Sequence, residues 1–231
     1  MTSVASASAF GQSSNRPMNG EGTPEGDALV VADQLQQTAP ATLAADTTSA
    51  PGEAVVTNNG GTVIEIPVDP AGQISVETES GATIDIGIPG ATSADNAVVA
   101  DDGTVVYADA LPGTDIAAQA LANGDVRALI NIDGPEAPTT FAFPVRIPGA
   151  GGLTVNDDGS ADVWDEDGST IALIASPWAV DADGTALDTY YVANGETLLQ
   201  VVDHAGATYP VVADPSFQFY CGDATCSLSF S

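Results

Sequence analysis

From Ala54 onward, isoleucine and valine alternate with polar residues. In GTVIEIPVDPAGQISVETESGATIDIGIPG the apolar positions are Val63, Ile64 and Ile66, then Ile74 and Val76, then Ile84, Ile86 and Ile88. A two-residue period sends successive side chains to opposite faces of a strand, and Gly and Pro punctuate the run at intervals that suit tight turns. The segment 54–100 therefore predicts a three-strand meander. The same pattern continues through GTVVYADAL, TTFAFPVRI, GGLTVNDDG, SADVWDEDG, STIALIASPWAV, ALDTYYVANG, ETLLQVVDHAG and ATYPVVADPS. These runs define a main β-rich module over 101–217. Many short strands with almost no helical period argue an all-β fold, an antiparallel β-sandwich or a curled sheet.

One stretch, TDIAAQALANGDVRALINID, supports two predictions. Asn123-Gly124 between runs of similar length is a strong hairpin signal, with both turn positions expected at positive φ. Against it, Thr114 or Asp115 could cap an Ala-rich helix ending at Gly124, and helix propensity favours that reading.

Residues 1–53 are rich in Ala, Ser, Thr, Gly, Pro and Gln. They show no sustained period and are expected to be largely disordered, apart from a short helix at 28–37 within GDALVVADQLQQ. The opening MTSVASASAFGQSS has no basic region and no apolar core, yet Ala5-Ser6-Ala7 and Ala7-Ser8-Ala9 have the small-residue form of a leader cleavage site. It reads either as the end of a secretory leader that starts upstream, with a mature chain beginning near Phe10, or as a low-complexity tail. No apolar run approaches bilayer length, so membrane insertion is not expected.

Charge narrows the partners. The 231 residues hold 32 acidic and 3 basic side chains, Arg16, Arg127 and Arg146, for a net charge of −29. Phosphate binding needs Lys and Arg, so nucleic acid is excluded as an expected partner, and anionic lipid surfaces are disfavoured. A protein or other partner of positive charge is favoured. A halophilic origin would give the same balance. Arg127 and Arg146 are each expected to pair with a nearby carboxylate.

Cys221 and Cys226 flank Gly, Asp and Thr in YCGDATCSLSF, and the segment 218–231 that contains it reads as a C-terminal hairpin. Two cysteines beside a hairpin tip can come within disulfide range, and such a bond fits an oxidising compartment. Two thiols alone are too few for zinc.

Three chemistries remain to be weighed. His204, the single histidine, lies in VVDHAGATYPVVADPS beside Asp203, which a strand would turn to the opposite face. No Gly-x-Ser-x-Gly elbow accompanies it, so it reads as a turn residue and no catalytic residue is assigned. The Asp-Gly clusters NDDG, DEDG, DADG and DDG read first as hairpin turns. Asp165 and Asp167, and Asp181 and Asp183, alternate as calcium ligands do, but no closing Glu follows. They are the candidate ligands for weakly held calcium, and no other cofactor is expected. Paired carboxylates for glycoside hydrolysis are a third reading. Trp164, Trp178, Tyr190, Tyr191, Tyr209, Phe217 and Tyr220 would be its sugar platform if they were not core.

Tyr107, Leu111-Pro112-Gly113, Asp115, Pro177-Trp178, Asp181, Gly184, Tyr209-Pro210-Val211 and Asp214-Pro215-Ser216 together form a pattern over 104–217. The pattern resembles a module of secreted actinobacterial proteins, similar to the region that precedes RHS-repeat and polymorphic-toxin-like segments. The resemblance implies an all-β, extracellular module with no catalytic residues to carry over, and it favours strands over 115–132. In similar proteins a further region follows, whereas this sequence stops at Ser231. The expectation is a secreted or cell-surface, non-enzymatic module with a structural or interaction role in a surface or effector protein. A calcium-stabilised adhesin-like domain and a wall-polysaccharide hydrolase are the other readings.

Overall fold

The computed structural model describes residues 24–44, 47–48, 54–59, 61–79, 81–90, 97–147, 149, 151–221 and 224–225. One helix, α1 (Pro24–Thr38), precedes β1 (Thr47–Thr48) and a four-strand meander: β2 (Val55–Asn59), β3 (Thr62–Ile66), β4 (Gln73–Glu77) and β5 (Thr83–Gly87). Next come β6 (Val98–Val99), β7 (Val105–Leu111), β8 (Thr114–Ala120), β9 (Val126–Ile132) and β10 (Thr140–Arg146). The chain continues through β11 (Gly152–Val155), β12 (Ala161–Trp164), β13 (Thr170–Ile174), β14 (Trp178–Val180), β15 (Thr189–Asn194) and β16 (Thr197–Val202). It closes with β17 (Val211–Asp214), β18 (Ser216–Cys221) and β19 (Ala224–Thr225).

The fold class is all-β, as the alternation predicts. Two antiparallel sheets form. The first runs β1-β2-β3-β4-β5-β10-β16-β15, and the second runs β11-β12-β13-β18-β9-β8-β7-β6, with β14, β17 and β19 paired alongside. One core draws on both sheets, including Ile64, Ile66, Ile84, Ile86, Phe141, Phe143 and Leu198 from the first. Tyr107, Ile116, Ile130, Phe217 and Phe219 come from the second. The meander gains a strand the alternation alone did not predict, because VVTNN (β2) pairs fully with β3. Its last strand pairs with β10, so strands of 54–100 and of 101–217 share a sheet.

The stretch 115–132 is a hairpin of β8 and β9, whose strand residues are all buried. Strands covered on both faces lose the simple in-out alternation of a half-exposed strand, and the alanines of β8 also suit a helix. The cover on the outer face is α1. Ala28, Val31, Ala32, Leu35 and Ala39 pack on Val106, Ala117, Leu129 and Val212. The helix is longer than the expected 28–37, and residues 24–44 are folded rather than disordered. Pro24 suits the first helical position, Glu25 and Asp27 lie in the first turn where the helix dipole favours acids, and Pro40 stops propagation.

Six connections share one hydrogen-bond pattern: 78–82, 100–104, 121–125, 156–160, 165–169 and 181–185. In each, the first N–H donates to the fifth carbonyl and the fourth N–H donates to the first carbonyl, at 2.8–3.0 Å. The fourth residue is always glycine with φ between 78° and 88°, a conformation that costs other L-residues energy. In the β8–β9 turn only Gly124 takes positive φ; Asn123 does not. Asn123 acts through its side chain, accepting the Asp125 N–H at 3.2 Å.

Candidate functional site

The acidic turns are built by their own carboxylates. Asp165 Oδ1 accepts the N–H groups of Asp167 at 3.0 Å and Ser169 at 2.8 Å. Asp181 Oδ1 accepts those of Asp183 at 3.0 Å and Thr185 at 2.8 Å, and its Oδ2 accepts the Thr208 N–H at 3.2 Å. These bonds, the one from Thr185 foremost, hold the Asp181 carboxyl below the usual range. Asp158 is held low in the same way, chiefly by the Ser160 hydroxyl, which donates to Oδ1 at 2.6 Å. Asp183 Oδ2 accepts the Thr208 hydroxyl at 2.8 Å. Thus Asp165 and Asp167 sit in one turn, Asp181 and Asp183 in another. Among the described residues, no three His, Cys, Asp or Glu side chains gather as a metal-ion set would.

His204 follows β16 in the turn the sequence predicts. It is buried, with Nδ1 2.9 Å from the Tyr209 hydroxyl and Nε2 3.2 Å from the Pro138 carbonyl, to which Nε2 donates. The ring ties this turn to the segment before β10. The described aromatic side chains stand in separate places. Tyr191 and Phe217 are core, Tyr190 is exposed, and the Trp164 indole donates to Thr154 at 3.2 Å. Trp178 lies against the cluster beneath α1. The proposed Cys221–Cys226 bond lies outside the described residues; in the described ladder Cys221 stands opposite Ala224.

Beneath α1 lies a polar seam that the sequence did not reveal. Three facing pairs on β8 and β9 point at the helix: Gln119–Arg127, Ala117–Leu129 and Asp115–Asn131. The middle pair is apolar and carries the packing. At one end Arg127, 8% exposed, donates from Nε and Nη2 to Gln119 Oε1 at 3.0 and 2.6 Å, and from Nη2 to the Ala39 carbonyl at 2.7 Å. Gln119 in turn donates to Thr104 at 2.9 Å. A guanidinium on the last carbonyls of a helix suits its dipole. At the other end Asn131 donates to Asp115 at 3.1 Å and to Asp133 at 3.0 Å, and receives Gln34 from α1 at 3.4 Å.

The expected carboxylate near Arg127 is Asp214, on β17. Burial lowers the Arg127 guanidinium from its ordinary value and Asp214 partly offsets this. Burial pushes the Asp214 carboxyl up to about 6, opposed by hydrogen bonds from Ser216 and Trp178 and by Arg127. Asp125 is likewise raised to about 6 by burial. Arg146 is exposed and stands opposite Asp85 across the β5–β10 ladder.

Two shallow grooves flank α1. One, of about 390 Å³, is lined by Gln34, Thr38, Val180, Asp181 and Pro210 among others. The second, of about 310 Å³, lies between Leu29, Ala32, Asp33 and Gln36 of the helix and the Ala100-Asp101-Asp102 turn. Among the described residues, no helix is long and apolar enough to cross a membrane. No protein-family model, curated protein or solved structure matches the chain.

Proposed function

We propose that this chain is a secreted, non-enzymatic β-rich module, the structural and interaction part of a surface or effector protein, which presents an acidic shell to a cationic partner. The observation that carries the reading is the placement of charge. Of the two described arginines, Arg127 is sealed beneath α1 and Arg146 is the one exposed, while the acidic turns fix carboxylates in rigid hairpin tips. A surface of one sign attracts the other and repels its own copies. The resemblance over 104–217 to the module preceding toxin-like segments supports the placement outside the cell.

The test is a binding isotherm with oligolysine as probe at rising salt. Association should be strong in dilute buffer and weaken steeply, because screening shortens from roughly 10 Å at 0.1 M to about 3 Å at 1 M. No association in dilute buffer, or association that salt leaves unchanged, would refute the acidic-shell reading. Recovery of the native protein only from the cytoplasmic fraction would refute the secreted one.

A further inference from the structure

The geometry points to the groove between α1 and the β6–β7 turn as a docking site for a basic amphipathic polypeptide segment, one carrying Lys or Arg among apolar residues. This inference rests on the acidic-shell reading and gives it a location. Leu29, Ala32, Asp33 and Gln36 stand at i, i+3, i+4 and i+7, so they form one stripe along the helix. The buried stripe Ala28, Val31, Ala32 and Leu35 lies beside it, turned by one residue. The groove is therefore a second, open face of a helix whose position is already fixed by packing.

The facing wall is fixed as well. Ala100 N–H donates to the Thr104 carbonyl at 2.8 Å, Gly103 N–H donates to Ala100 at 2.9 Å, and Asp102 Oδ1 accepts the Thr104 N–H at 2.9 Å. Asp33 receives Gln37 at 2.7 Å through Oδ2. Asp33, Asp101 and Asp102 each keep acceptor capacity beyond these bonds. Gln36 Oε1 is buried and has no hydrogen-bond partner among the described residues. Leu29, which lines the groove, extends its apolar surface outward at 42% exposure. An apolar strip bordered by three carboxylates matches a partner of opposite charge that also brings apolar side chains.

One other occupant and one other groove fit less well. A small polyamine would use the carboxylates and leave Leu29 in water. The groove on the other flank of α1 has Asp181, but that carboxylate is already committed to the amides of Asp183, Thr185 and Thr208.

The experiment measures binding of a labelled helical Leu/Lys peptide to the full chain by fluorescence anisotropy, with spermidine and oligolysine as competitors. Three variants are compared with the parent: D33N/D101N/D102N, the double D33N/D101N, which leaves the Asp102 turn bond untouched, and L29S. A control triple, E136Q/E166Q/D167N, removes the same charge from exposed positions elsewhere. The groove triple should weaken binding roughly tenfold, the double and L29S each several-fold, and the control less than about threefold. Circular dichroism and the thermal midpoint confirm that each variant is folded.

Equal losses in the groove and control triples would overturn the groove while leaving the acidic shell standing. Spermidine or oligolysine binding as well as the peptide does, with L29S silent, would also overturn it in favour of charge alone. A doubled mass in light scattering without peptide, abolished by L29S, would assign the groove to a second copy instead. No salt-sensitive binding of any cationic probe to the parent would refute both readings together.

Discussion

Replacing Asp214 with asparagine tests the seam beneath α1 most sharply. Asp214 is 4% exposed and its carboxyl rises from 3.8 to about 6, with burial the largest cause. The folded protein therefore holds this proton more tightly than the unfolded chain does. At ~1.4 kcal/mol per pH unit, the gap corresponds to about 3 kcal/mol. The sign is opposite to ordinary acid denaturation. The contribution is complete below the unfolded value near 3.8 and is lost as the pH rises through about 6. Stability should accordingly increase as the pH falls from neutrality toward 4. Asp125, raised in the same direction, adds to the trend, and so does relief of repulsion among 32 acidic side chains.

The variant separates these causes. D214N removes one titrating group and leaves the overall charge almost unchanged, so the parent's pH profile minus the variant's isolates Asp214. Urea unfolding at several pH values between roughly 4 and 7.5 gives both profiles by linear extrapolation. The parent should gain up to about 3 kcal/mol more than D214N on acidification. Relative to the parent, the variant should be least stable at the acid end, where the parent carboxyl is protonated and needs no counter-charge. Parallel profiles would refute the argument, because they would mean that Asp214 is hydrated or ionised in the folded state across the whole range.

Three further predictions concern the fold and the turns. Leu35→Ala should cost about 3 kcal/mol in urea unfolding, since Leu35 is fully buried against Val106, Ala117, Leu129 and Val212, whereas Val30→Ala at an exposed position should stay within about 0.5 kcal/mol. Equal effects would mean that α1 is not docked. Gly90→Ala should be far more damaging than Gly124→Ala. Both glycines have positive φ, at 71° and 88°, but a Cβ on Gly90 would stand 2.0 Å from the Ala110 carbonyl oxygen and one on Gly124 meets nothing within 4 Å; Gly124→Ala should cost about 1–2 kcal/mol, and thermal midpoints rank the pair. Calcium should raise the thermal midpoint no more than magnesium does, because Asp165 and Asp181 already accept two or three amides each; a calcium-specific rise would show that the acidic turns open to take the ion.

The strand pattern was legible wherever one face of a strand meets the core and the other meets water. β3, β4 and β5 alternate in burial as they alternate in sequence, and β10 does so over its whole length. The Asp-Gly turns were legible too, because the backbone needs glycine at one fixed position in each. Their carboxylates were not so easily read. DEDG and DADG have the spacing of cation ligands, but the same spacing places Oδ1 over the amides two and four residues on. Sequence alone does not show this second use; the hydrogen bonds do.

The seam was hidden for a different reason. In β8 and β9 the outward residues are Asp115, Ala117 and Gln119, then Arg127, Leu129 and Asn131, a mixture that gives no clean period. Its logic lies in the partner. Leu35 and its neighbours need an apolar patch, which Ala117 and Leu129 supply. The end of the helix needs a donor for its carbonyls, which Arg127 supplies at Ala39. Gln34 needs a polar partner, which Asn131 supplies. Arg127 and Asn131 thus answer requirements set 88 and 97 positions earlier in the chain. The same distance explains how α1 could look like part of a low-complexity tail: its apolar stripe is made largely of alanine, which packs closely on a sheet but contributes little contrast to a hydrophobic pattern. Close packing by small residues then leaves the adjoining stripe, with Leu29 and Asp33, standing free beside the Asp101–Asp102 turn. The groove is thus a consequence of how the helix docks, and a substitution that undocks α1 should remove the groove along with its cover over Arg127.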